Sequence, residues 1–72
     1  MKVPKLTPVK SSNIQSVGHN DHGLFVRFSG GGLYSYPGAP KSLCDQMVEA
    51  ESAGKFFRAN VAGKFKHVQH DA

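Results

Sequence analysis

Tyr34 and Tyr36, set in the run Gly-Leu-Tyr-Ser-Tyr-Pro, are the residues of this chain whose type and spacing best suit chemistry. Two phenols two positions apart on a strand project to the same side of a sheet. They can stack on bases, form a recognition patch for a protein, or line one wall of a small core. Around them, Phe25, Phe56 and Phe57 supply further rings, and Arg27, Lys55, Arg58, Lys64 and Lys66 supply cations. Aromatic faces stack on bases at about 1–3 kcal/mol each while cations track the backbone, so the set holds both ingredients of a single-strand binder. The competing reading is structural. With no Trp in the chain, a small domain needs its large apolar groups inside, which assigns Phe28, Phe56 and Phe57 to the core.

Charge points the same way without deciding between partners. Nine Lys and Arg stand against five Asp and Glu, a net charge of +4. From Ser52 to His70 there are four cations and no acid, whereas Asp45, Glu49 and Glu51 lie just upstream. The surface therefore divides into an acidic helix face and a basic C-terminal face. Such a face attracts phosphates through counterion release, and it equally serves as a solubilising charge excess.

The remaining inventory offers little for catalysis. Cys44 falls on the apolar side of a helical pattern, where burial makes a thiol inert. Asp45 and Glu49 read as a solvated helix face rather than an acid/base pair. His19 with His22, and His67 with His70, have His-x-x-His spacing beside Asp21 and Asp71. Four imidazoles can ligate zinc, but the first pair lies in a turn and the second in a segment read as a frayed tail. Gly30-Gly31-Gly32 lacks the Lys-Ser/Thr of a phosphate-binding loop and opens onto no helix, so it reads as a hairpin loop. No metal, no cofactor and no enzymatic activity are expected.

These residues must be positioned by a single small domain, because 72 residues leave room for only one core. One cysteine closes no intrachain disulfide, which fits a reducing cytoplasm. The basic start Met1-Lys2-Val3-Pro4-Lys5 is followed by no apolar segment, and no run approaches the ~18 apolar residues of a membrane span. A cytoplasmic protein with no membrane association is expected.

Residues 1–10, with Pro4 and Pro8, read as a flexible extended arm, residues 11–69 as the domain and 70–72 as a tail. Asn13–His19, Leu24–Phe28 and Leu33–Tyr36 read as strands joined by tight turns, which favours an antiparallel meander. After Pro40, at the first helical position, Leu43, Cys44, Met47 and Val48 share one helical face from Lys41 to Glu51 or Ser52. Phe56, Phe57 and Val61 mark a shorter helix through Asn60, and Phe65 with Val68 a last extended piece. The fold class is therefore α+β, a three-stranded antiparallel meander followed by two helices packed on one face, with the other face partly open.

The register of the second hairpin decides what the tyrosines do. If Phe28 pairs with Leu33, Arg27 lies opposite Tyr34 and Phe25 opposite Tyr36, and the four share an open face. If Ser29 pairs with Leu33, Phe28 faces Tyr34, Val26 faces Tyr36, and the tyrosines join the core side.

The order Val9-Lys10-Ser11-Ser12-Asn13-Ile14, Leu24-Phe25-Val26-Arg27-Phe28, Gly32-Leu33-Tyr34-Ser35-Tyr36 and Ala50-Glu51-Ser52-Ala53-Gly54-Lys55-Phe56-Phe57-Arg58-Ala59-Asn60 resembles the KTSC domain. That family takes its name from an extension at the C-terminus of some lysyl-tRNA synthetases and also occurs as small bacterial and phage proteins. The likeness spans residues 9 to 68. His19-Asn20 departs from the Tyr-Asp often found there, and Phe65 from a Tyr. The resemblance implies a compact domain and, through the family's company with a tRNA-handling enzyme, RNA as a partner.

The expectation from the sequence is thus a non-enzymatic binding domain. Arg27, Tyr34, Tyr36, Lys55, Arg58, Lys64 and Lys66 would contact RNA or single-stranded DNA. The alternative is a protein-interaction module docking on a larger host protein.

Overall fold

Leu24-Phe25-Val26-Arg27-Phe28 is the densest run of β-formers in the chain, and it becomes the middle of the sheet. The computed structural model of the protein describes residues 3–70, so the ends of the expected arm (1–2) and tail (71–72) lie outside the described residues. In chain order the elements are β1 (Thr7–Pro8), β2 (Ile14–Asn20), β3 (Gly23–Phe28), β4 (Leu33–Pro37), α1 (Lys41–Glu49), α2 (Ala53–Asn60) and β5 (Val68–His70). The strands form one antiparallel sheet in the order β1-β2-β3-β4-β5.

The α+β class holds, but the sheet has five strands rather than three. Thr7 and Pro8, in the segment expected to be a flexible arm, pair with Val17 and Ser16. Gly18 admits this approach: a Cβ there would lie 2.5 Å from the Lys5 carbonyl oxygen and 3.0 Å from Leu6 Cδ2. At the other edge β5 takes in the first residue of the expected tail, with Gln69 opposite Tyr34 and His70 opposite Leu33.

In β2 the register shifts between Ile14 and Ser16, with Gln15 as the extra residue of a bulge. The bulge sets Ile14 and Val17 on the same buried side although they are three positions apart. Between β3 and β4, Val26 pairs with Tyr34 and Leu24 with Tyr36. This is neither register expected above. It is displaced by two residues from the core-facing one and keeps its facing. The loop Ser29-Gly30-Gly31 is closed by Phe28 N–H donating to the Gly32 carbonyl (2.8 Å) and Gly31 N–H to that of Phe28 (2.9 Å). Tyr34 and Tyr36 accordingly lie on the helix side with Leu24 and Val26, and the expected platform with Phe25 and Arg27 does not form.

Pro40 is the N-cap of α1 rather than its first residue, in an extended conformation (φ −75°, ψ 159°) that its ring favours. α1 buries Cys44 and Met47, and α2 buries Ala53. Ser52 caps α2, its Oγ accepting from Lys55 N–H at 3.3 Å. The core gathers Ile14, Val17, Leu24, Val26, Met47 and Val61, with Phe28, Tyr34, Phe56, Phe57 and Phe65 packed around it.

The reverse face is not open at its centre. Phe25, Leu33 and Ser35 are buried there. His70 stacks on Phe25 with ring centroids 5.5 Å apart, and its Nε2 lies 2.7 Å from Ser35 Oγ. The arm at Pro4–Leu6 approaches Gly18, the residue paired with Phe25. A bare Phe25 would cost about 2–3 kcal/mol in lost burial, and the two short edge strands bring the groups that cover it. Among the described residues no helix is long and apolar enough to cross a membrane.

Candidate nucleic-acid interface

Gly32 and Tyr34 are two residues apart, so they share a side of the hairpin. A Cβ on Gly32 would lie 2.8 Å from Tyr34 Cε1, 3.6 Å from Cδ1 and 3.7 Å from Cζ. The absent side chain is what allows the Tyr34 ring to lie back over the strand. Tyr34 meets Phe28 edge-on (5.4 Å, 82°) and His67 at 5.3 Å and 66°. Deeper in, Tyr36 packs against Phe57 (5.4 Å, 74°), which also holds Phe28 (5.6 Å, 82°). Phe28, Gly30, Gly32, Tyr34, Tyr36 and His67 line an open groove of about 510 Å³ with no acid among them.

The two phenols are not equivalent. Tyr36 is 5 % exposed; burial pushes its phenol above the ordinary value, and Tyr34 beside it pushes in the same direction. Tyr34 is half-buried and is the phenol that a ligand in the groove would meet.

Lys55 and Arg58 lie three residues apart on α2 and so share one exposed side. With Ser11, Ser12, Asn13 and Ser52 they line a second cleft, of about 190 Å³. The turn on its far wall is held by Ser11 Oγ, which accepts from Asn13 N–H and Ile14 N–H at 3.1 Å each. Ala53 N–H donates to the Lys10 carbonyl (2.9 Å), tying the start of α2 to this turn. Ser29 N–H donates to the Asn13 carbonyl at 2.8 Å. One hairpin loop therefore borders both clefts, bonded to the wall of the second and lining the first with Gly30. Lys64 and Lys66 are exposed in the segment between α2 and β5 that carries His67 to the groove.

Of the residues singled out from the sequence, Tyr34 lines the groove, Tyr36 forms its inner wall, Lys64 and Lys66 lie on the segment beside it, and Lys55 and Arg58 line the second cleft. Arg27 does not join them. It pairs with Ser16 and Leu33, so its side chain leaves from the reverse face. His67, Gly32 and the Ser11–Asn13 turn belong to the site and were missed. Gly32 was readable from its two-residue spacing to Tyr34. His67 was not, because only the long-range pairing of β5 brings it to the rings.

Other chemistry is dispersed. His67 faces the tyrosines while His70 faces Phe25 across the sheet, so their His-x-x-His spacing separates them, and neither lies in a frayed end. His19 Nε2 lies 2.9 Å from the Ala39 carbonyl oxygen. Among the described residues no three His, Cys, Asp or Glu side chains gather as metal ligands would. Cys44 is buried, and that burial pushes its thiol up; Asp45 adds to the shift and Lys41 opposes it. Next to it, a cleft of about 480 Å³ between the arm and α1 mixes Lys5 and Lys41 with Asp45 and Glu49.

Similarity to other proteins extends over most of the chain. A protein of Tsukamurella paurometabola is 35% identical over 65 residues, 88% of this chain and 97% of its own. An uncharacterized protein of Stutzerimonas stutzeri is 34% identical over 55 residues, 74% of this chain and 78% of its own. The crystal structure of a KTSC domain protein from Yersinia pestis superposes with a TM-score of 0.83 at 32% identity, covering 93% of this chain and 97% of that one. The family model of the KTSC domain matches residues 10–65, which takes in both clefts except His67: the chain belongs to the KTSC domain family.

Proposed function

We propose that this domain is a non-enzymatic, cytoplasmic binder of single-stranded nucleic acid, RNA first, in which Tyr34 stacks on a base while Lys55, Arg58, Lys64 and Lys66 hold phosphates. The observation that carries the reading is an accessible phenol in an acid-free groove, bordered by a segment that holds cations and no acid. A base needs a flat apolar surface, and its phosphates need positive charge without competing carboxylates. The hairpin end offers the first at the groove and the second at Lys55 and Arg58.

The test is titration of labelled oligo-U and oligo-dT across a series of salt concentrations. Four phosphate contacts on a single strand give a slope of log K against log salt near ~−2.8. Tighter binding of oligo-U than oligo-dT supports RNA. No binding at low salt overturns the reading. In that event, recovery of a stoichiometric protein from nuclease-treated extract would move the assignment to a protein partner.

A further inference from the structure

We infer that the groove over Tyr34 is a single-base subsite, taking one unpaired nucleobase against the Tyr34 ring while its neighbours in the strand contribute phosphates only. The inference rests on the nucleic-acid reading above and deepens it. Strand binders that stack successive bases present a series of accessible rings along the path of the chain. Here the reachable rings, half-buried Tyr34 and Phe28 with exposed His67, are gathered in one groove rather than spaced along a path. Tyr36 is buried behind Tyr34, and Phe28 and Phe57 turn their edges and faces to each other and to the tyrosines.

Beyond the groove, past the hairpin loop, the next cleft is walled by hydroxyls, an amide, Lys55 and Arg58, with no ring. A second base arriving there meets nothing to stack on, but its phosphate meets two cations. At the groove itself Gly30 and Gly32 present bare backbone, which leaves a slot between the loop, Tyr34 and His67. An uncharged flat ring with anionic groups on either side fits an apolar slot beside acid-free cationic segments.

Gly32 sets this subsite as a positioning residue. Its backbone is not in the left-handed region, so alanine is tolerated there conformationally, yet the added methyl would displace the Tyr34 ring. Gln46→Ala is the control, because Gln46 is exposed on α1 and lines neither the groove nor the second cleft.

The experiment uses Tyr36→Phe as background. The chain has no Trp and two Tyr, so tyrosine emission then reports Tyr34 alone. Three oligonucleotides of equal length are titrated: all-base, abasic with one central base, and wholly abasic. The single-base strand is expected to quench Tyr34 and to bind within about threefold of the all-base strand, while the abasic strand loses roughly 5- to 150-fold without quenching. Gly32→Ala and Tyr34→Leu should remove that base-dependent factor and leave affinity for the abasic strand unchanged; Gln46→Ala should keep it. Tyr34→Leu retains apolar bulk, so a melting curve separates loss of stacking from loss of fold.

Affinity that climbs with each added base would overturn the single-base subsite and leave the nucleic-acid reading standing. So would a base-dependent factor that survives in both Gly32→Ala and Tyr34→Leu. If no strand binds at low salt, both fall.

Discussion

Tyr34 and Tyr36 have the same chemistry and differ only in what packs on them. Their spacing establishes that they share a side, but which side depends on how Phe28 meets Gly32 across the loop. Three consecutive glycines leave that closure open to the eye, and each one-residue slip reverses the facing. Burial of Tyr36 then has a measurable consequence. Its folded-state pKa is raised above the ordinary 10.0, first by burial and then by Tyr34. The unfolded chain therefore loses this proton at lower pH than the native state. The stability it contributes is full below about pH 10 and is lost as pH rises through the folded value. Urea midpoints followed through alkaline pH should fall less steeply in Tyr36→Phe than in the parent. Identical alkaline slopes in the parent and Tyr36→Phe would show that the buried phenol does not resist ionisation. Cys44, whose thiol is pushed up from 9.0 chiefly by burial, should react slowly with thiol reagents near neutral pH until denaturant exposes it; rapid native labelling would contradict its burial.

The elements that were legible in the sequence are those long enough to show a period. β2, β3 and β4 stand within a residue of the runs of β-formers, and α1 and α2 carry the apolar spacing of amphipathic helices. β1 and β5 have two and three residues, too few to alternate visibly, and they exist because the edges of the sheet accept them. The sequence reading had no β1 and gave its last extended piece, Phe65 with Val68, no place in the sheet, which is why the reverse face looked open. Gly18 is the local sign of the arm, since any side chain there would strike Lys5 and Leu6. Gly18→Ala should therefore push the arm off β2 and destabilise the protein by about 1–3 kcal/mol, the range for overpacking. Urea denaturation measures that loss, and limited trypsin digestion should cut after Lys5 sooner than in the parent. An arm cut at the same rate in both proteins would mean that it is not held where Gly18 admits it.

At the scale of the whole molecule, a chain this small buries too little surface to separate a scaffold from a site, so the rings that close the core also line the groove. The candidate site was half legible for that reason. Its cations stand in an acid-free run that sequence alone reveals, whereas the division into a groove and a second cleft arises from the hairpin loop and its bond to Asn13. That division makes one strand's path testable. If a single strand crosses the hairpin end, both cation pairs neutralise phosphates of the same ligand, and each pair contributes about 1.4 to the magnitude of the salt slope. Lys64→Gln with Lys66→Gln, and separately Lys55→Gln with Arg58→Gln, should each reduce the slope by about that amount. Lys41→Gln should change it little, because Lys41 lies on the opposite helix in an exposed pair with Asp45 at 3.0 Å. The base-dependent quenching of Tyr34 should survive in both double variants, since stacking and phosphate contact are separate contributions. A slope that falls only with the Lys64 and Lys66 pair would confine the strand to the groove and leave the Lys55 and Arg58 cleft outside its path.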